Sequence, residues 1–175
     1  IPNTMASAVE SLSALGAELT TVHAAAGTAA LRASAEASRR SATSGPRGSR
    51  TALLGVTVLT SFGAAGLGEV LGRDADPPVE VERLARLGVD AGLDGLVASP
   101  REIASLRRTV GPDPLLVIPG IRPAGADTQD QARVATPSRA IADGADFLVI
   151  GRPITRADAP RDALRAILDE LAGAQ

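Results

Sequence analysis

Cysteine, lysine, tryptophan and tyrosine are all missing from this 175-residue chain, and histidine occurs once, at His23. Without cysteine there is no disulfide, and thiolate metal or redox chemistry is excluded. Aromatic residues make up only 1%, so the core must be aliphatic, and the 45% hydrophobic content is enough to build one. A lone histidine with no cysteine and no adjacent acidic cluster makes a poor metal site. His23 therefore reads as structural, hydrogen-bonded at a strand exit. The formal net charge of -2 gives no general attraction for nucleic acid. No leader-like segment stands out and no apolar run is long enough to span a bilayer, which together fit a cytoplasmic protein without a membrane partner. All 18 cationic residues are arginine. No side chain is therefore an ammonium able to give up a proton near neutral pH, since arginine holds its own.

The chain is organised around residues 115–155. Leu115-Leu116-Val117-Ile118 is a short apolar run that breaks at Pro119-Gly120 and leads to Arg122. Phe147-Leu148-Val149-Ile150 is a second, breaking at Gly151-Arg152. Between them lie a polar loop at residues 123–131 and a helical pattern beginning near Thr136. Short β-branched runs without alternation, each closed by Gly or Pro, are the mark of buried parallel strands. Both arginines then sit just past the carboxyl end of a strand, where α/β sheets and barrels bind ligands. A guanidinium there suits a phosphate dianion.

The rest of the chain continues the alternation. Thr4 caps a helix to about Leu15, with Met5, Val9, Leu12 and Leu15 at helical spacing and Gly16 as its stop. Residues 18–23 form a strand and residues 28–41 a helix. A Ser-, Gly- and Arg-rich loop at 44–50 reads as a solvated turn. Residues 51–59 are the next strand, and residues 62–76 are Gly-rich and irregular. Pro77-Pro78 lead a helix over 79–91, residues 94–98 make a short strand, and Ser99-Pro100 start another helix by a cap and a first-turn proline. The last helix covers 160–172, with Leu164, Ile167, Leu168 and Leu171 on one face. There is no internal repeat beyond this alternation and no linker. Five strands with following helices predict an α/β fold, an incomplete (β/α)8 TIM barrel with about five of eight strands, as one domain over residues 1–175.

Several candidate site residues have two readings on the residues alone. Gly151 and Arg152 are either a phosphate grip or a strand-exit glycine and a surface arginine. Arg122 and Gln131 either flank a mobile loop that closes over the ligand or belong to an ordinary exposed loop; the loop's length favours the first. For Thr60 and Ser61, spacing favours capping over ligand contact. Pro119 by itself only ends a strand.

A family resemblance covers essentially the whole chain. Ile1-Pro2-Asn3-Thr4, Val56-Thr57-Val58-Leu59-Thr60-Ser61, Pro119-Gly120-Ile121-Arg122, Asp130-Gln131 and Ile150-Gly151-Arg152-Pro153-Ile154-Thr155 occur in the order found in orotidine 5′-phosphate decarboxylases. The set as a whole resembles that family. The resemblance implies a TIM barrel that converts orotidine 5′-phosphate (OMP) to UMP and CO2 in pyrimidine biosynthesis, with no metal and no organic cofactor. It places Arg122, Gln131, Gly151 and Arg152 on the phosphate and Thr60, Ser61 and Pro119 at the pyrimidine. It also implies a homodimer with a shared site, into which Ile1 and Thr4 reach from the partner, with Pro2 and Asn3 between them. In the family an Asp-x-Lys-x-x-Asp motif leads straight into Ile-Pro-Asn-Thr, and its lysine protonates C6. This chain begins one residue after that motif and has no lysine. It is therefore expected to be a carboxyl-terminal portion carrying no catalytic residue of its own, and inactive alone. A non-catalytic phosphate binder and another phosphosugar barrel are the competing expectations; the first and second of the five motifs argue against the latter.

Overall fold

The computed structural model describes residues 1–41, 50–123 and 135–173. Helix α1 (Pro2–Ala14) precedes strand β1 (Leu19–His23), α2 (Thr28–Arg40) and β2 (Ala52–Val56). Next come α3 (Ala64–Leu71), α4 (Pro77–Asp90), β3 (Gly95–Val97), α5 (Ile103–Val110) and β4 (Leu115–Ile118). The chain finishes with α6 (Pro137–Ala142), β5 (Phe147–Leu148), α7 (Arg152–Thr155) and α8 (Pro160–Ala172). The five strands are all parallel and lie in the sheet in chain order. Sequential parallel order with helical crossovers is the wall of a (β/α)8-type barrel, with five of eight strands present among the described residues.

Strand register tells the two faces of the wall apart. Thr20 pairs with Leu53, and Gly55 with Leu96, Leu96 with Leu116, Ile118 with Leu148. Register partners point the same way, and this set faces the helices. Leu96, Leu116 and Ile118 join Leu84, Ile103 and Leu106 in one aliphatic cluster. Leu53 joins Val9, Leu31 and Leu93 in a second. The other set is Leu19, Thr21, Leu54, Val56, Gly95, Val97, Leu115, Val117 and Phe147, the face that a closed barrel turns inward. At the two outer strands that face is open: Leu19 is 39% and Phe147 46% exposed.

A small repeat locks the amino ends of the strands, contrary to the expectation of none. Gly92-Leu93-Asp94-Gly95-Leu96-Val97 and Gly144-Ala145-Asp146-Phe147-Leu148-Val149 share a Gly-x-Asp-x-Leu-Val pattern. Each glycine turns the chain out of a helix at positive φ, 90° and 110°. Each aspartate then accepts a backbone N–H from the preceding neighbour strand, Leu53 N at 2.8 Å and Leu116 N at 2.6 Å. Each also pairs with an arginine, Arg50 in the first case and Arg107 in the second. Arg50 was expected in a solvated turn; it is instead a clamp on the β2–β3 junction.

Four local expectations change. Thr4 does not cap α1: the helix starts at Pro2, with Ile1 at the cap position, because proline suits the first helical position. Residues 62–76 are not wholly irregular, since α3 forms there and ends at Gly72 in the left-handed region (φ 66°). Leu67 and Leu71, one turn apart, are the signal that could have found it. Ser99 does not cap the turn it precedes; its hydroxyl donates to the buried Glu102 carboxylate. The apolar faces of α1 and α8 are only partly covered, with Leu15 at 80% and Leu168 at 55% exposure, while Ile167 is buried.

In α1 the residue that packs inward beside Val9 is Ser13, 2% exposed, and its hydroxyl has no hydrogen-bond partner among the described residues. An unmade buried hydrogen bond costs free energy that alanine avoids, so Ser13→Ala is expected to raise stability by about 0.5–1.5 kcal/mol. Urea unfolding checks this, and a loss of stability would show that the hydroxyl is satisfied in solution.

Candidate functional site

Because every strand is parallel, every strand exit lies at one end of the wall. His23 ends β1, Thr60 and Ser61 follow β2, Ser99 follows β3, Pro119 follows β4 and Gly151-Arg152 follow β5. The structure thus brings residues separated by more than a hundred positions to a common rim. That gathering is a property of barrel topology, in which chemistry sits on the βα loops.

The residues on the rim differ in how firmly they are held. Thr57 is buried, and both its N–H and its hydroxyl donate to the Val97 carbonyl, at 3.1 and 3.0 Å. These bonds extend the β2–β3 pairing beyond the strand and fix where the β2 exit turns. Thr60 and Ser61 follow in that turn, with Ser61 exposed. At β4, Gly120 takes φ 76°, a left-handed turn that glycine makes without steric cost. The next residue, Ile121, forms a parallel bridge to Ala135, and the Arg122 N–H donates to the Ala135 carbonyl at 2.9 Å. Arg122 itself is 7% exposed, and its Nη1 donates to the Ile121 carbonyl at 2.9 Å. Its guanidinium is therefore folded against its own turn. Gln131 and most of its loop lie outside the described residues.

At β5, Val149 N–H donates to the Ile118 carbonyl at 2.9 Å, so the last strand stays paired up to the exit. Gly151 is exposed, and a side chain there would meet no atom within 4 Å. Open space beside a backbone is what close approach of a ligand requires. Arg152 follows in the first position of α7 and is partly buried. Ile1 to Thr4 lie at the start of α1, with Ile1 84% exposed. This helix runs back to the amino end of β1, so its start faces the same end of the wall as the strand exits.

His23 is exposed, and among the described residues its ring makes no hydrogen bond. The expected structural bond is absent there. Glu80, which residue reading passed over, is the notable buried carboxylate near the rim. It is 3% exposed and paired with both Arg73 and Arg83. Hydrogen bonds from Arg73 first and Arg83 second hold its carboxyl below the usual carboxylate range. Among the described residues no group of three or more His, Asp or Glu is placed to hold a metal ion, and no helix is long and apolar enough to cross a membrane.

A parallel wall in chain order, with its polar and basic candidates on the carboxyl-end loops, defines a protein of the (β/α)-barrel class with a candidate site at the strand exits. The family model described as Orotidine 5'-phosphate decarboxylase / HUMPS family matches residues 1–167. The chain is 48% identical over 174 residues to orotidine 5'-phosphate decarboxylase of Gluconobacter oxydans (strain 621H), covering 99% of this chain and 72% of that protein. It is 52% identical over 167 residues to the enzyme of the same name from Anaeromyxobacter dehalogenans (strain 2CP-1 / ATCC BAA-258), covering 95% and 69%. The crystal structure of orotidine 5'-phosphate decarboxylase from Lactobacillus acidophilus superposes with a TM-score of 0.83 at 34% identity, covering 98% of this chain and 70% of that one. The chain belongs to the orotidine 5'-phosphate decarboxylase / HUMPS family.

Proposed function

We propose that this chain supplies the phosphate grip and part of the pyrimidine pocket of an orotidine 5′-phosphate decarboxylase, acting on OMP to give UMP and CO2. One observation carries the reading. Thr60-Ser61, Pro119-Arg122 and Gly151-Arg152, the motifs that resemble the family's, follow the exits of β2, β4 and β5 on one rim. Gly151 leaves open space beside its backbone and Arg152 carries a guanidinium, a pair suited to a dianion. Arg122 and Gln131 complete the grip. Ile1 and Thr4 reach into the site of a second copy, so the working unit is a homodimer. Residues 1–175 form one domain of it. The reaction needs no metal and no organic cofactor.

A second reading, in which these residues hold a phosphate ligand and do not turn it over, uses the same contacts.

Both readings meet in the phosphate. Removing the Arg152 guanidinium strips a charged partner from the ligand, a loss of about 2–4 kcal/mol, whereas the Gln131 amide gives a neutral bond of about 0.5–1.5 kcal/mol. UMP titrated into the chain should therefore bind tens- to hundreds-fold more weakly to Arg152→Ala, and about tenfold more weakly or less to Gln131→Ala. Uridine, lacking the phosphate, should bind both variants as it binds the parent. If Arg152→Ala weakens uridine as much as UMP, Arg152 is not a phosphate ligand.

A further inference from the structure

Glu80 sits in the first turn of α4 and is gripped from two sides, by Arg73 on Oε1 and by Arg83 Nε on Oε2 at 2.8 Å. Arg83 is its neighbour one helical turn on. Arg73 is different: it lies at the far end of the connection from β2 to α4, just past the left-handed Gly72. That connection, residues 57–76, is much longer than the usual βα loop. It carries Thr60 and Ser61 at one end and Arg73 at the other.

Packing alone holds this connection loosely. Helix α3 reaches the core through Leu67 and Leu71, with Phe62 beside them. Beside it lies a partly open pocket of about 280 Å³, mostly apolar, lined by Val58, Leu59, Phe62 and Val70 together with Glu80 and Arg83. Side chains facing an open pocket make fewer packing contacts, and a two-turn helix has little stability of its own. An ion pair with one buried partner is more decisive. Removing Arg73 leaves the buried Glu80 carboxylate under-compensated, so the pair favours one position of the segment over all others.

We propose that Glu80 is a positioning residue: through Arg73 it anchors the far end of segment 57–76 and so holds Thr60 and Ser61 against the ligand. The inference rests on the reading of Thr60 and Ser61 as ligand contacts, and its test separates the two. Glu80→Gln keeps the volume and removes the charge. Arg73→Gln breaks the pair from its solvent-exposed side and leaves the core untouched, which guards against a variant that merely fails to fold.

The first measurement is amide hydrogen exchange on the parent chain and both variants. Exchange across residues 62–73 should quicken about tenfold or more in each, while amides of β3 and β4 stay within about twofold of the parent. No change at 62–73, or an equal change everywhere, overturns the anchor. The second measurement is UMP affinity in double-mutant cycles. Glu80→Gln should weaken UMP about fivefold in the parent background and less than about twofold in a Ser61→Ala background, since residues acting through one contact are not additive. With Arg152→Ala the two losses should multiply. Full additivity of Glu80→Gln with Ser61→Ala overturns the positioning role while leaving the ligand role of Ser61 intact. Ser61→Ala binding UMP like the parent overturns that ligand role itself, and the positioning role falls with it.

Discussion

Orotidine 5′-phosphate incubated with the purified 175-residue chain is expected to be recovered unchanged, with no UMP formed above the uncatalysed background. Loss of CO2 from C6 leaves a carbanion, and an enzyme must place a proton donor against it. The chain contains no lysine, and arginine does not release its proton at neutral pH. Among the side chains, His23 is the one remaining nitrogen group able to donate a proton. It stands at the rim, but its ring is exposed and held by no described neighbour. A donor without a fixed orientation forgoes the effective-molarity advantage on which such steps depend. Chromatography of the nucleotide pool checks the prediction. Turnover in a preparation free of host enzyme, abolished by His23→Gln or by Arg152→Ala, would show that the chain carries a donor of its own. The converse experiment joins the chain at its amino end to the whole amino-terminal segment of a full-length relative, with its Asp-x-Lys-x-x-Asp motif included. Turnover should then appear, and it should vanish when that lysine is replaced by arginine, which keeps the charge but not the exchangeable proton.

Gly95→Ala is expected to destabilise the fold by about 3–5 kcal/mol, enough to unfold much of a marginally stable chain. Gly95 opens β3 on the inward face of the wall, between its register partners Leu54 and Leu115. A methyl group there would come within 2.5 Å of the Leu115 carbonyl oxygen, 2.7 Å of the Leu115 Cβ and 2.8 Å of the Leu54 Cδ2. A leucine tip can rotate away, but a backbone carbonyl in the parallel ladder cannot move without breaking that ladder. Strand β3 has three residues, so it has few other bonds to hold register. Gly55→Ala is the informative contrast. Its nearest obstruction is the Leu93 Cδ1 at 2.7 Å, the end of a flexible side chain, and it should cost about 1–2 kcal/mol. Urea denaturation of the two variants measures the difference, and equal midpoints would mean that the Leu115 carbonyl yields as readily as a side chain.

Much of this architecture is legible in the residues because local patterns decide it. The apolar, β-branched run at Leu115–Ile118 is a buried parallel strand as its pattern implies; the run around Phe147 is a parallel strand too, but Phe147 and Val149 stay about half exposed. Pro77, Pro137 and Pro160 each open a helix, as a ring that presets φ and needs no donor should. The helical pattern expected from near Thr136 is α6, which Thr136 caps by accepting the Arg139 N–H at 3.3 Å. Helix α3 is not legible in the residues because three glycines within residues 63–68 mask a short apolar stripe, which is held by the core cluster and not by its own propensity. Likewise nothing local marks Arg50 and Arg107 as partners for Asp94 and Asp146. Those pairs join residues 44 and 39 positions apart.

By itself the sequence determined the fold class, the order of strands and helices, the family motifs and the absence of a lysine, since each is written in neighbouring residues or in composition. Only the tertiary structure decided which of these meet. Parallel pairing in chain order brings the exits of β1 to β5 to one rim and sets His23, Ser61, Pro119 and Arg152 around it. The same register turns Leu53 and Leu96 to the helices and leaves Leu19 and Phe147 open. The burial of Arg122 against its own turn, and the closing of Arg73 onto Glu80, follow from where separate elements pack. Such contacts depend on distances across the fold, which no spacing along the chain encodes.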